Sequence, residues 1–170
     1  MQVVVIDFET HFDRSSYTLS KMSTESYIRD ARFEAHGAAI KWQHNIPARW
    51  YPEKELRHVL KEQDWFDIFL IAHHMAFDGL ILSHHYGVFP KMLGCTLSMA
   101  RLMLGNHLSV SLDQVRKHFG MPLKTTPYDQ MTGKYWREMS PTVQQIVADG
   151  CCDEVESVWI IFCRFIRGDY

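Results

Sequence analysis

Residues 3–12 read VVVIDFETHF, in which four apolar residues run directly into Asp7, Phe8 and Glu9. β-Branched residues in an unbroken run are typical of a strand buried on both faces, so the pattern predicts a central strand over residues 2–7. Successive side chains of a strand point to opposite faces, and Asp7 and Glu9 are therefore expected to point the same way. Two carboxylates this close raise each other's pKa unless a cation lies between them. The stretch therefore predicts a cation site at the end of the strand.

The composition favours one globular domain over residues 1–170. Hydrophobic residues make up 46% of the chain, charged residues 22%, and the formal net charge is −2. No apolar run approaches the roughly 20 residues that cross a membrane, and no secretory signal is present, so we expect a protein with no membrane partner. The four cysteines lack C-x-x-C spacing, which favours reduced thiols in a cytoplasmic protein. The net charge argues against bulk capture of a polyanion, whereas metal ions or a local basic patch could still hold nucleic acid.

Strand and helix patterns alternate along the rest of the chain. Further strands are predicted over residues 32–42, 48–52 and 67–74. Helices are predicted within 13–31 and over 52–63, 75–87, 95–104, 111–120 and 140–166. The last of them begins with Ser140 as cap and Pro141 at its first position. This order predicts an α/β layer fold with a mixed sheet.

Two more carboxylates fall where such folds place ligands. Asp78 follows a predicted buried strand in AHHMAFDG (72–79), and Asp153 lies in the last helix in DGCCDEVE (149–156). Four carboxylates that converge suit hard divalent cations with oxygen ligands, Mg²⁺ or Mn²⁺. Two such ions about 4 Å apart clamp the attacking and leaving oxygens of an in-line phosphoryl displacement.

Each acidic residue also has a purely structural explanation. Asp78 could cap the helix after its strand, and Asp153 could belong with Glu154 and Glu156 to a solvated helix face. The basic residues 116–118 and Lys124 are more typical of a solvated face than of a track for DNA. The order and context of the acidic residues together, rather than any one of them, favour a metal site.

Three motifs resemble the DnaQ-like (DEDD) 3′–5′ exonucleases: DFET (7–10), AHHMAFDGLIL (72–82) and D-x-x-x-D (149–153). Longer stretches, at 17–42, 77–87 and 95–104, resemble the exonuclease domain of bacteriophage family A DNA polymerases.

This resemblance spans roughly residues 1–165 and implies a ribonuclease H-like fold, with a five-stranded mixed sheet flanked by helices. It also implies a proofreading-type enzyme of DNA replication that uses two Mg²⁺ or Mn²⁺ ions to hydrolyse single-stranded DNA 3′ ends to nucleoside monophosphates. The implied partner is a polymerase domain or subunit, and the implied location is the bacterial host cytoplasm if the chain is phage-encoded.

The resemblance also implies roles for individual residues. Asp7 would bridge both metal ions, Glu9 and Asp153 would complete the tighter site, and Asp78 would hold the second ion. The residues expected at the substrate are Phe8, which could stack on the terminal base, with Thr10, His11 and His74.

Two positions depart from the pattern of that family. His74 stands where the family has Asn, and Asp149 stands where a Tyr would precede the last carboxylate by four residues. Asp149 and Asp153 share a helix face, so Asp149 could act as a base through water, or as an extra metal ligand, or have no role.

These departures leave two alternatives to a DNA exonuclease. One is a degenerate domain that binds nucleic acid or a partner without cleaving it. The other is an exonuclease that acts on RNA, because the motifs do not separate RNA from DNA.

Overall fold

We describe a computed structural model of the chain, which covers residues 1–105 and 109–170. Its sheet has five strands in the order β3-β2-β1-β4-β5: β1 Gln2–Thr10, β2 Ala35–Lys41, β3 Arg49–Pro52, β4 Ile68–Ala72 and β5 Met92–Cys95. β1 pairs antiparallel with β2 and parallel with β4, so the sheet is mixed and the first strand lies at its centre, as the apolar run predicts.

The helices are α1 Thr24–Arg29, α2 Glu53–Lys61, α3 Met75–Ile81, α4 Thr96–Leu104, α5 Leu112–His118, α6 Tyr128–Met131 and α7 Pro141–Arg167. After α3 the chain continues in a wider helical turn over Leu82–Tyr86, which Gly87 ends with a φ of 66°. The residue pattern did not predict α6 or β5. β5 is four residues long, lies at the sheet edge and leaves Met92 and Leu93 exposed, so it carries no strand-like hydrophobic signal.

Alternating side chains of β1 separate two cores. Val4, Ile6 and Phe8 pack with α1, α2 and α3 on one face of the sheet. Val5 packs with α4, α5 and α7 on the other face. The result is a three-layer arrangement in which Asp7 continues the face that α7 covers.

The last helix is fixed at both ends by its sequence. The Ser140 side chain accepts a hydrogen bond from the amide of Val143, Pro141 occupies the first turn, and Gly168 ends the helix with a φ of 80°. Over its 27 residues α7 lies against β1 and β2. Its inward side chains therefore reach the end of β1 where Asp7 and Glu9 lie.

Within the described part of the chain, no helix is both long and apolar enough to cross a membrane.

Candidate metal centre

Asp7 and Glu9 lie side by side on the face of β1 that α7 covers. Carboxylate oxygens of both residues and the Cys151 sulfur lie within 4.8 Å of one another. Asp7 is partly buried, and Glu9 is 8% exposed. The strand alternation therefore has the consequence that the i, i+2 spacing predicts.

Asp78 joins this pair from the other side of the strand. It lies in the first turn of α3 and is 2% exposed, and its Oδ1 accepts a hydrogen bond from the Phe8 amide at 3.1 Å. The contact ties the start of α3 to β1, between the two acidic residues of the strand. Asp78 therefore does more than cap its helix, because its carboxylate binds the strand beside Asp7 and Glu9.

Glu154 supplies the fourth carboxylate. Its side chain projects from the inward stripe of α7 and is 2% exposed. Lys124 Nζ forms an ion pair with its Oε2, and Thr126 Oγ1 donates a hydrogen bond to its Oε1 at 3.1 Å. We refer to Asp7, Glu9, Asp78 and Glu154 as the carboxylate cluster.

Asp153, the expected fourth ligand, lies outside the cluster. Successive helix residues differ by about 100° in direction, so when residue 154 faces the sheet, residue 153 points sideways. The side chain of Asp153 is 54% exposed and pairs with the buried guanidinium of Arg116. The structure thus places Asp153 in an ion pair between α7 and α5.

Asp149 is also outside the cluster. It is exposed on α7, and its carboxylate accepts a hydrogen bond from the side chain of Gln145 at 2.9 Å. The residue four positions before Glu154 is Gly150, which has no side chain to offer a water. The structure brings no group from either position to the acidic residues of β1.

The electrostatics of the cluster are those of a site that needs a cation. Burial and the neighbouring Glu154 raise the pKa of Asp7 to about 7. The pKa of Glu9 is raised well above its usual value by burial and then by Glu154 and Asp7. Burial and the charge of Asp7 likewise raise the pKa of Asp78. A divalent ion between these groups would offset the repulsion and favour their charged forms.

The donor set suits a hard cation. Carboxylate oxygens are the ligands that Mg²⁺ and Mn²⁺ prefer. Cys151, the remaining candidate ligand, is a buried thiol whose pKa is raised well above its usual value by burial and by Asp7. It acts as a hydrogen-bond donor to Asp7, at 3.4 Å from the carbonyl oxygen and 3.5 Å from Oδ2. The cluster therefore fits Mg²⁺ or Mn²⁺ better than a thiolate-seeking metal.

A cleft of about 320 Å³ opens over three members of the cluster. Its lining includes Asp7, Glu9 and Glu154, and its other lining residues are Phe8, Thr10, Phe12, Thr18, Leu19, Tyr27, Phe77, Lys124 and Tyr128. A carboxylate cluster under an aromatic-walled cleft can hold a metal-bound phosphate with a base beside it.

The four residues expected at the substrate have different surroundings. Phe8 and Thr10 line the cleft, although Phe8 is buried against Tyr86, and Thr10 shares a 2.8 Å hydrogen bond with Tyr27. His11 is 4% exposed and lies under Tyr135, with its Nδ1 donating to the Lys134 carbonyl at 2.9 Å.

His74 is exposed just before α3, where its ring stacks on Phe77, itself a residue of the cleft wall. The structure therefore puts His11 in a packing role and leaves His74 accessible beside the cleft.

The prediction from sequence did not place Glu154 among the candidate ligands, and it assigned Lys124 to a solvated face. Glu154 stands on an apolar stripe with Val147, Cys151 and Val158, at spacings of seven, three and four residues, and that pattern alone separates it from Asp153. Lys124 carried no such signal, because it lies in an irregular segment between two helices. The basic stretch is divided: Lys117 and His118 are exposed, whereas Arg116 is fully buried and Lys124 contacts the cluster.

No family model and no curated protein matches the chain in sequence. Solved structures do match it. NrnC of Brucella melitensis is 18% identical with a TM-score of 0.65, and the match covers 97% of this chain and 72% of that one. The same protein is known with bound Mg²⁺ and bound to pGG.

Two ribonucleases match as well. Escherichia coli RNase D, described as an exoribonuclease involved in structured RNA processing, is 14% identical with a TM-score of 0.61, and the match covers 98% of this chain and 39% of that one. Trypanosoma brucei RNase D in complex with RNA U12 is 13% identical with a TM-score of 0.65, over 96% and 55% of the two chains. With its five-stranded mixed sheet flanked by helices, the chain has the ribonuclease H-like fold of the DEDD 3′–5′ exonucleases.

Proposed function

We propose that the chain is a metal-dependent 3′–5′ exonuclease that removes nucleoside monophosphates from single-stranded ends. The observation that carries the proposal is that Asp7 and Glu9 of β1 and Glu154 of α7 line one cleft, while Asp78 of α3 accepts a hydrogen bond from the Phe8 amide between the two strand carboxylates. In this proposal Glu154 replaces Asp153 as the fourth ligand, and Asp149 has no catalytic role.

The residues of the cluster would hold Mg²⁺ or Mn²⁺, and the bound ions would supply an activated water and charge stabilisation on the scissile phosphate. Asp7 would hold such an ion together with Glu9, whose carboxylate lies within 4.8 Å of its own, and Asp78 is close enough for the charge of Asp7 to raise its pKa. Aromatic groups of the cleft wall, Phe77 and Tyr128 among them, would hold the terminal nucleotide by stacking.

With Glu154 as the fourth ligand, the residue four positions before it is Gly150, which offers the attacking water no side chain from α7. Tyr128 is a candidate replacement, because it lines the cleft and its hydroxyl lies 3.4 Å from Lys124 Nζ. Its pKa is raised by burial and by Glu9, so the hydroxyl stays protonated and can donate a hydrogen bond. We assign Tyr128 to orientation of the attacking water or of the phosphate.

Single-stranded DNA and RNA are the two candidate substrates. The resemblance to phage polymerase domains favours single-stranded DNA in a proofreading setting, whereas the structural neighbours include RNase D with RNA U12 and NrnC with pGG. RNA is therefore the second candidate substrate. The sugar 2′-OH is the group by which the protein would distinguish RNA from DNA.

The test uses matched 5′-labelled DNA and RNA 12-mers and dinucleotides with Mg²⁺ or Mn²⁺. We expect a ladder that shortens from the 3′ end, disappears with EDTA and is lost in Asp7→Asn. Asp169→Asn, which changes an exposed acidic residue near the end of the chain, serves as the control and should cleave like the parent. Oligonucleotides that stay intact at high protein and metal concentration would refute the proposal and leave a domain that binds without cleaving.

A further inference from the structure

Lys124 is the one cation that contacts the carboxylate cluster within the described residues. Its Nζ forms the ion pair with Glu154 Oε2 and lies 3.4 Å from the Tyr128 hydroxyl. Its side chain is 22% exposed and that of Glu154 is 3% exposed, so water screens this pair weakly.

The segment that carries Lys124 is held against α7 independently of this ion pair. The Lys124 amide donates to Asp113 Oδ1 on α5 at 3.1 Å, and Thr126 Oγ1 donates to Glu154 Oε1. Gly150 allows the approach, because a Cβ there would lie 3.2 Å from Thr126 Oγ1. The backbone can therefore stay in place when the flexible lysine side chain moves.

Both oxygens of Glu154 are thus engaged by this segment, Oε2 by the lysine and Oε1 by the threonine. A divalent ion that takes Glu154 as a ligand competes with Lys124 for the same oxygen. Two positive groups on one buried oxygen also repel each other strongly.

We propose that Lys124 is a built-in counter-ion of the cluster, which holds Glu154 in the metal-free protein and is displaced from it when a divalent metal binds. The proposal rests on the metal-binding part of the proposed function and not on cleavage. In this role Lys124 is a positioning residue that sets the affinity of the cluster for metal. After displacement, its ammonium group can pair with a phosphate of a bound nucleic-acid strand.

The first test is calorimetric titration of Mn²⁺ into the parent, Lys124→Met and the control Lys117→Met, which changes an exposed lysine of α5. Methionine keeps the length of the stem and removes the charge. We expect Lys124→Met to bind Mn²⁺ about tenfold more tightly than the parent, because no internal cation has to leave. Lys117→Met should bind like the parent, and unchanged or weaker binding by Lys124→Met would overturn the proposal.

The second test uses the unaltered protein, so it does not depend on how a variant folds. Lysines are acylated with and without saturating Mn²⁺, and the labelling of each is read by mass spectrometry. Lys124 should be protected without metal and should react several-fold faster with it, while Lys117 reacts equally in both. Equal labelling of Lys124 in both states would refute displacement.

The outcomes separate the two proposals. If Asp7→Asn abolishes Mn²⁺ binding while Lys124→Met leaves it unchanged, the metal centre stands and the counter-ion role fails. If the parent binds no Mn²⁺ at all, the metal-dependent function fails as well. Metal binding with lysine displacement but without cleavage leaves the counter-ion role intact in a domain that is not a nuclease.

Discussion

At the scale of single residues, one step along α7 separates two carboxylates with different surroundings. Glu154 is buried against Lys124 and Thr126 in the cleft, whereas Asp153 is half-exposed and neutralises Arg116. In the sequence the two residues are adjacent acidic residues, and either could be the ligand. The direction in which each side chain leaves the helix determines that Glu154, and not Asp153, faces the cleft.

Glu154→Gln should therefore affect catalysis, whereas Asp153→Asn should affect stability. We expect Glu154→Gln to lower exonuclease turnover at least about 100-fold, because it would remove a charged ligand from the proposed metal centre. Asp153→Asn should cleave nearly as fast as the parent. Single-turnover rates on the better of the two oligonucleotides measure both, and a larger loss in Asp153→Asn than in Glu154→Gln would contradict the assignment.

Asp153→Asn should instead cost stability. Arg116 is fully buried, and its Nη1 already lacks a hydrogen-bond partner, so the loss of the carboxylate leaves a buried charge poorly compensated. Because Asp153 is half-exposed, we expect a moderate decrease of about 1–3 kcal/mol in the free energy of unfolding. Urea unfolding measures it, with Asp169→Asn as a control that should stay within about 0.5 kcal/mol of the parent.

Asp7→Asn should change how stability depends on pH. Burial and Glu154 raise the pKa of Asp7 to about 7 in the folded protein, against about 3.9 in an unfolded chain. The folded state therefore binds more protons between about pH 4 and pH 7, and the contribution of Asp7 to stability falls as the pH rises through that window.

The measurement is urea unfolding of Asp7→Asn and the parent in EDTA at several pH values. The difference between them cancels the titration of other groups to a first approximation. We expect it to be smallest near pH 4 and to favour Asp7→Asn increasingly up to about pH 7–8. A difference that is flat, or that grows toward acid, would show that Asp7 is not held protonated by its surroundings.

At the scale of elements, the site depends on a close approach between α7 and the segment of Lys124 and Thr126. Gly150 lies in the interior of α7, where glycine normally costs about 1 kcal/mol relative to alanine. The structure gives a reason for it, since Thr126 Oγ1 lies 3.2 Å from where a Cβ would be. The same hydroxyl donates to Glu154, so the glycine lowers helix propensity but lets Thr126 reach that carboxylate.

Gly150→Ala should accordingly fail to stabilise the protein and should weaken Mn²⁺ binding, because Thr126 is pushed away from Glu154. Gly79→Ala in α3 is the matched comparison. Its Cβ would also meet an atom at 3.2 Å, but that atom is Sδ of the flexible side chain of Met75. Urea unfolding should show a gain of up to about 1 kcal/mol for Gly79→Ala and none for Gly150→Ala. A similar gain in both would mean that the approach of Thr126 is not constrained.

At the scale of the whole molecule, the carboxylate cluster joins both layers of helices to the sheet. Asp78 comes from α3 on one face, Glu154 from α7 on the other, and Asp7 and Glu9 from the central strand. A cation bound among them therefore links three elements that are distant in sequence, and its removal affects the stability of the whole fold.

Divalent metal should therefore raise the melting temperature. At a concentration about 100 times its dissociation constant, a ligand of the folded state adds about 2.7 kcal/mol, which corresponds to about 5–10 °C for a chain of this size. Differential scanning fluorimetry with Mn²⁺, Mg²⁺ or EDTA measures the shift. Asp7→Asn should lose most of it, and an equal shift in Asp7→Asn would place the metal elsewhere.

The sequence by itself determined the sheet centre, the boundaries of α7 and the pairing of Asp7 with Glu9. These features depend on local rules: β-branched runs form buried strands, Ser-Pro begins a helix, and i, i+2 residues share a strand face. The sequence also predicted Asp78 as a candidate by a local rule, because it lies in the helix that follows a buried strand. The order of motifs also led to the ribonuclease H-like fold, which the structure confirms.

Only the tertiary structure decided which acidic residue of α7 enters the site and which cation meets it. The rotation of a helix about its axis is set by the packing of its whole apolar stripe, so the choice of Glu154 over Asp153 follows from contacts of Cys151, Val158 and their neighbours with the sheet. Lys124 reaches Glu154 from an irregular segment 30 residues earlier, whose path depends on α5, on Thr126 and on the missing side chain at Gly150. Such long-range contacts leave no periodic trace in a sequence, because no local rule relates the two segments.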